Sequence, residues 1–128
     1  MQKIDMDVLM FFDKHQAALP LYIAFRDKVL QYFPDVKIRV QKTQITYSNR
    51  HVFACVSFIK VKKKMDLPEP YIVVTLGLSA PIESDRIAVK TEPYPGRWTH
   101  HIVVGTESEL DEELFLWIKS AYDFAENK

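Results

Sequence analysis

The amino-acid sequence predicts an α+β domain with two N-terminal helices, a mainly antiparallel sheet of about four to five strands and one long C-terminal helix. Three observations predict it. Apolar residues recur at helical spacing as far as Pro34, the period then changes to two, and an apolar stripe at helical spacing returns after Thr106.

Val8, Phe11, Phe12 and His15 share one face of a short amphipathic helix. The next stretch, "ALPLYIAFRDKVLQYF", places Pro20 near a helix start, where its missing N–H does no harm. It then repeats Tyr22, Phe25, Val29 and either Tyr32 or Phe33 along one side. Pro34 and Asp35 end that helix. Val36, Ile38 and Val40 alternate with Lys37, Arg39 and Gln41, as in a half-buried strand, and "QITYSN" reads as another short strand that turns at Ser48 and Asn49. "HVFACVSFIKV" and "YIVVTLGLS" are apolar on both alternating faces, the pattern of central strands. The polar, proline-bearing "KKKMDLPEP" between them predicts a long-looped hairpin with Lys62, Lys63 and Lys64 near its tip. "TEPYPG" punctuates the chain, with a turn at Pro95 and Gly96, before the last strand, "RWTHHIVVG". Thr106 and Glu109 match a capping box, and Leu110, Leu114, Trp117, Ile118, Ala121 and Ala125 form the apolar stripe of the terminal helix.

The chain of 128 residues shows no repeat, linker or low-complexity segment, so residues 1–128 are read as one domain large enough to bury a core. Its hydrophobic fraction of 48% and charged fraction of 27% are those of a folded globular protein. The N-terminal "MQKIDMDVLMFFDKH" carries three acidic residues and no long apolar run, so neither a signal peptide nor a membrane span is expected. A single cysteine, Cys55, forms no internal disulfide, which agrees with a cytoplasmic location.

Net charge is zero, yet its distribution is uneven. Between Val36 and Met65 stand eight Lys and Arg residues and no Asp or Glu, whereas the C-terminal stretch is acidic. Such asymmetry fits a basic binding face, or a basic sheet and an acidic helix that complement each other within the fold.

Several chemistries find no motif. Adjacent residues on a strand point to opposite faces, so His100 and His101 cannot both reach one metal or substrate without a bulge, and one of them is expected to face the core. His51 and Cys55 are expected to share a face, but about 13 Å of strand separates them, too far to ligate one ion. There is no H-E-x-x-H, no paired-cysteine spacing, no G-x-S-x-G elbow and no glycine-rich phosphate cradle. No metal and no cofactor is therefore expected. Cys55 sits mid-strand between Ala54 and Val56, where thiols are usually inert packing groups. Lys42 continues the register of Ile38 and Val40, so it serves either as an edge lysine or as a cation pointing into a pocket.

The blocks "LPLYIAFRDKVL", "VKIRVQKTQITYSNRHVFACVSF", "RWTHHIVV" and "LDEELFLWIKSAYDFA" together resemble a bacterial family, the domain of unknown function 5655, sometimes labelled a predicted transport protein. The resemblance covers nearly the whole chain. It implies a stand-alone α+β domain and brings no activity, cofactor or catalytic residue. The transport label sits poorly with the absence of a membrane span.

The leading expectation is a cytosolic binding module whose site gathers Lys42, Tyr47 and Arg50 with Arg97, Trp98, His100 and His101 around a small anionic ligand. Arg forks onto carboxylate or phosphate, aromatic rings stack, and histidine adjusts to pH. Cations beside aromatic rings also suit single-stranded nucleic acid, which zero net charge disfavours. A second reading is a small enzyme with one histidine as general base, assisted by Tyr47, Lys42 or Glu92, although no nucleophile motif supports catalysis. A third is an interaction domain that forms a homodimer, or joins another protein, through a sheet edge or an apolar patch. No membrane partner is expected.

Overall fold

Pro34 divides helices from sheet, as the change of period predicts. The computed structural model describes residues 5–128; the first four residues, which open the N-terminal stretch read above, lie outside the described residues. The first helix, α1 (Met6–Phe11), is only six residues long, so Phe12 and His15 fall beyond its end. A 3₁₀ turn at Gln16–Ala18 leads into α2 (Leu19–Tyr32), which has Pro20 in its first turn and buries Tyr22, Phe25 and Val29 at the expected spacing. Phe33, not Tyr32, completes that stripe: Phe33 is 8% exposed and Tyr32 55%.

Six strands follow: β1 (Lys37–Val40), β2 (Gln44–Ser48), β3 (Val52–Ser57), β4 (Ile72–Leu78), β5 (Ile87–Tyr94) and β6 (Arg97–Val104). They form one sheet in the order β1-β2-β3-β4-β6-β5, every neighbouring pair antiparallel. The strand absent from the expectation of four to five is β5. Its sequence, "IAVKTEPY", carries Lys90, Glu92 and Pro93 and hides from pattern reading because it is an edge strand, half exposed and free to hold a proline. The β3–β4 hairpin forms as expected, with Lys62, Lys63 and Lys64 exposed in its long connection. Pro95 and Gly96 make the β5–β6 turn; Gly96 has φ +74°, a left-handed conformation that a side chain would oppose.

The helices cover one face of the sheet. Tyr47, Ala54, Leu76 and His100 lie in register on that face, with Ile45, Val56, Val74 and Ile102 one row along. All eight are buried, and each large apolar side chain so removed from water contributes about 1.5–3 kcal/mol. The opposite face carries the row Arg39, Thr46, Cys55, Thr75, His101 and Val89. A bulge beside Ser48 puts both Phe53 and Ala54 into the core, so His51 and Cys55 end on different faces rather than the one expected.

Thr106 and Glu109 bracket a 3₁₀ turn, Glu107–Glu109, with the Glu109 carboxylate accepting the Thr106 N–H. The terminal helix itself, α3 (Glu112–Glu126), starts later, where the Asp111 carboxylate accepts the Leu114 N–H. Leu110, Leu114, Ile118, Ala121 and Ala125 are buried as their spacing predicts, while Trp117 is half-buried. Phe115 is buried too, against Phe25 and Tyr32 of α2.

Strands β4 and β5 run in the same direction with β6 between them, so residues 79–86 must cross back over the helix face. Ile82 in that crossing donates its N–H to His100 Nε2 at 3.0 Å and accepts from Lys90 Nζ at 3.1 Å. Arg86 ends the crossing, bonded to Asp111, to Glu113 and to the Glu109 carbonyl, with its guanidinium over Trp117.

Two glycines separate close packing from open space. A Cβ at Gly105 would meet the Pro68 ring at 2.7 and 2.8 Å, whereas one at Gly77 would meet nothing within 4 Å. Gly105→Ala is expected to destabilise the fold by about 1–3 kcal/mol and Gly77→Ala to stabilise it by about 0.4–1 kcal/mol, both read from urea denaturation.

Candidate functional site

The seven residues expected to gather around a ligand do not converge, although Arg97 and Trp98 line one cavity. Lys42 lies just past β1, in the turn to β2, exposed and at one end of the sheet. Arg50 and Arg97 are exposed in the β2–β3 turn and at the start of β6, at the opposite end. Tyr47 is fully buried and donates its hydroxyl proton to Tyr22 at 2.9 Å; burial holds its pKa well above the ordinary tyrosine value. Trp98 is half-buried opposite Leu78. His100 faces the core, and His101 the other side of the sheet, as alternation requires. The expected seven-residue site does not form, because turns at both ends and residues on both faces cannot converge.

Three of the four histidines have structural tasks. His100 Nε2 accepts from Ile82, so its proton sits on Nδ1, which has no hydrogen-bond partner among the described residues although the nearby Leu76 backbone favours it there. His101 Nδ1 is hydrogen-bonded to Thr75 Oγ1 at 2.8 Å. His51 Nδ1 meets the Ala125 carbonyl and Asn49 donates to the Tyr122 carbonyl, which closes the C-terminal end of α3. On the face away from the helices, Cys55, Thr75 and His101 stand side by side on three strands, an alignment that strand pairing creates and no sequence spacing signals. It is not an activated nucleophile. Burial pushes the Cys55 thiol up from 9.0, with Thr75 opposing, and pushes His101 down from 6.5, so neither becomes charged at neutral pH.

Arg97 and Lys128 share one ring. Their cationic groups stand 5.6 and 5.2 Å from the centre of Phe124, beside a cavity of about 210 Å³ that Trp98 also lines. A larger cleft, of about 620 Å³, opens at the other end of the molecule between the turn after α1, the β1–β2 turn and the end of β3. Phe11 and Phe58 form its apolar wall, and Lys14, His15 and Lys42 set three basic groups against the single carboxylate of Asp13. The His15 ring stacks on Phe58 with centroids 3.8 Å apart. Of the residues expected to bind a ligand, only Lys42 belongs to this cleft. Lys14, His15 and Phe58 sit in short "FFDKH" and "SFIK" runs that look like ordinary helix and strand ends, and only the fold brings them together.

A family model described as Domain of unknown function (DUF5655) matches residues 10–125. The chain belongs to this family. No curated protein and no solved structure matches it. No group of three or more His, Cys, Asp or Glu able to hold a metal occurs among the described residues of this DUF5655 domain, and no helix there is long and apolar enough to cross a membrane.

Two measurements follow from the histidines and the thiol. His100 and His101 both titrate below 6.5 in the folded chain, chiefly because burial disfavours the imidazolium. The unfolded chain therefore binds more protons as pH falls through 6.5, and stability drops below that pH while staying intact above it. His100→Leu is expected to cost about 1–3 kcal/mol at neutral pH through the lost Ile82 bond and to flatten this decline, as melting temperatures above and below pH 6.5 will reveal. Cys55 should react slowly with a thiol reagent in the native protein and rapidly in denaturant; equal rates would contradict its burial.

Proposed function

We propose that this DUF5655 domain is a binding module for a small anionic ligand with an apolar or aromatic body, held in the cleft between Phe58, His15 and Lys42. The cleft's volume of about 620 Å³ falls within the usual range for small-molecule sites, whereas the Arg97–Lys128 cavity, at about 210 Å³, falls below it. The observation that carries the reading is the imbalance of its lining: three basic side chains and an aromatic wall against one acid. The wider basic segment supports it. None of the cations from Lys37 to Lys64 takes part in an ion pair among the described residues, since the acidic C-terminal stretch is answered by Arg86 and Lys119. The complementary-charge account of the sequence asymmetry is thus left without contacts.

Dimerisation through a sheet edge finds less support. Edge strand β1 is four residues long with Lys37 and Arg39 exposed, and edge strand β5 carries Pro93 and exposed Glu92, features that oppose strand addition. Acid–base catalysis by Tyr47 or His100 finds none, both being enclosed in the core.

The test is a fluorescence titration with 1-anilinonaphthalene-8-sulfonate, an aromatic anion. One saturable site is expected, weakened about tenfold or more by the double exchange of Lys14 and Lys42 for Glu, both exposed positions, and weakened by added salt. Absence of saturable binding, or binding indifferent to both lysines, would rule the cleft out.

A further inference from the structure

Four lysines follow the Phe58 cleft without lining it. The connection from β3 to β4 leaves the cleft at Ile59 and carries Lys60, Lys62, Lys63 and Lys64, all exposed. Five residues of fully extended chain span at most about 18 Å, so Lys64 stands within that distance of Ile59. With Lys14 and Lys42 of the cleft they make six lysines, against Asp13, Asp66 and Glu69 in the cleft and the connection. None of the six is in an ion pair among the described residues.

Zero net charge does not cancel this surplus. Exposed charges farther apart than about 8–10 Å are largely screened from one another at physiological salt, so a local excess of cations acts on an anion beside it whatever the rest of the chain carries. A ligand confined to the cleft leaves the lysines of the connection unanswered. One that reaches them as well is a polyanion.

The aromatic side of the cleft defines the repeating unit of that polyanion. The His15 ring lies nearly parallel to Phe58, with 13° between the planes, so Phe58 takes one of its faces; the residue is exposed, which leaves the other face for a further ring. A nucleobase extends such a stack, and every base can do so because each has a π face. A duplex keeps its bases paired and stacked, so a single strand is the form that offers a free one. We infer that the cleft and the lysines of the β3–β4 connection together bind single-stranded nucleic acid, with one base on His15 and the neighbouring phosphates on Lys14, Lys42 and the lysines of the connection. The inference rests on the cleft proposed above as a site for an aromatic anion and names the polymer to which that anion belongs.

The experiment is fluorescence anisotropy of the full chain with a fluorescein-labelled oligothymidylate of about 15 nucleotides, displaced by the unlabelled strand, beside the anilinonaphthalene-sulfonate titration of the cleft. Saturable binding that weakens with added salt is expected. Exchange of Lys62, Lys63 and Lys64 for Gln, all at exposed positions, should weaken the strand about tenfold or more, reduce the slope of log K against log salt by about 2, and leave the sulfonate unaffected. His15→Ala, also at an exposed position, should weaken the strand about fivefold or more, and the duplex with oligoadenylate should bind about tenfold more weakly than the single strand. A chain that binds the sulfonate but not the strand overturns this inference and leaves the cleft proposal standing. Strand binding that is unchanged in the triple variant or in His15→Ala overturns it too, as does a duplex bound as tightly as the single strand. Absence of sulfonate binding removes the cleft, and this inference with it.

Discussion

The crossing from β4 to β5 is the constraint on which the arrangement depends. Two strands that run the same way on either side of β6 oblige the chain to carry polar backbone across the helix face, where unpaired amides are costly. Ile82 meets that demand with two side chains, one from each strand it passes: His100 of β6 takes its N–H and Lys90 of β5 its carbonyl. A neutral imidazole is the group that can accept on one nitrogen while sitting in the core, which is why burial and function agree in keeping His100 uncharged. From there Arg86 ties the crossing to the start of α3, whose Asp111 is both helix cap and ion-pair partner. The Leu114 N–H and, after it, Arg86 hold the Asp111 carboxyl below the ordinary 3.8. With that end fixed and Asn49 and His51 closing the other, α3 lies over β3 and β4, and α2 docks against it through the Phe25, Tyr32 and Phe33 rings.

A different economy governs the α1 side of the molecule. An isolated helix of fewer than about 12 residues is marginal in water, so six-residue α1 persists only through tertiary anchorage, chiefly Val8 and the adjoining Phe12. It is nonetheless a wall of two cavities: Met10 and Phe11 border the Phe58 cleft, and Asp7 and Val8 border a cavity of about 370 Å³ between α1, α2 and β1. The least self-sufficient helix therefore borders both cavities. Elements that move on ligand binding are drawn from such weakly held segments.

Much of the fold was legible because its signals are local. The period-two run after Pro34, the Pro95–Gly96 turn and the α3 stripe each express a rule that acts within a few residues. The α+β class and antiparallel sheet followed, whereas β5 did not, since an edge strand needs few apolar residues and tolerates Pro93. Alternation also foretold that one of His100 and His101 would be buried, but not which, because register against Leu76 and Thr75 is a matter of strand pairing. The site was poorly legible for the same reason. Lys42 was singled out by its place in the strand pattern, and its neighbours His15 and Phe58 are far from it in the chain. Nothing in the sequence marks Arg26 as buried, since its burial depends on how neighbouring elements close over α2.

The β5 strand has a consequence beyond its absence from the pattern. It is bonded on one side only, its second half from Thr91 to Tyr94 is exposed, and its ladder with β6 is interrupted there. Amide protons facing outward on β5 are thus in contact with water in the native state, while those of β3, β4 and β6 are sealed between neighbours. Exchange protection is therefore expected to fall from the middle of the sheet towards both edges, β1 and β5, while Arg86, which precedes β5, is tied to Asp111 and Glu113.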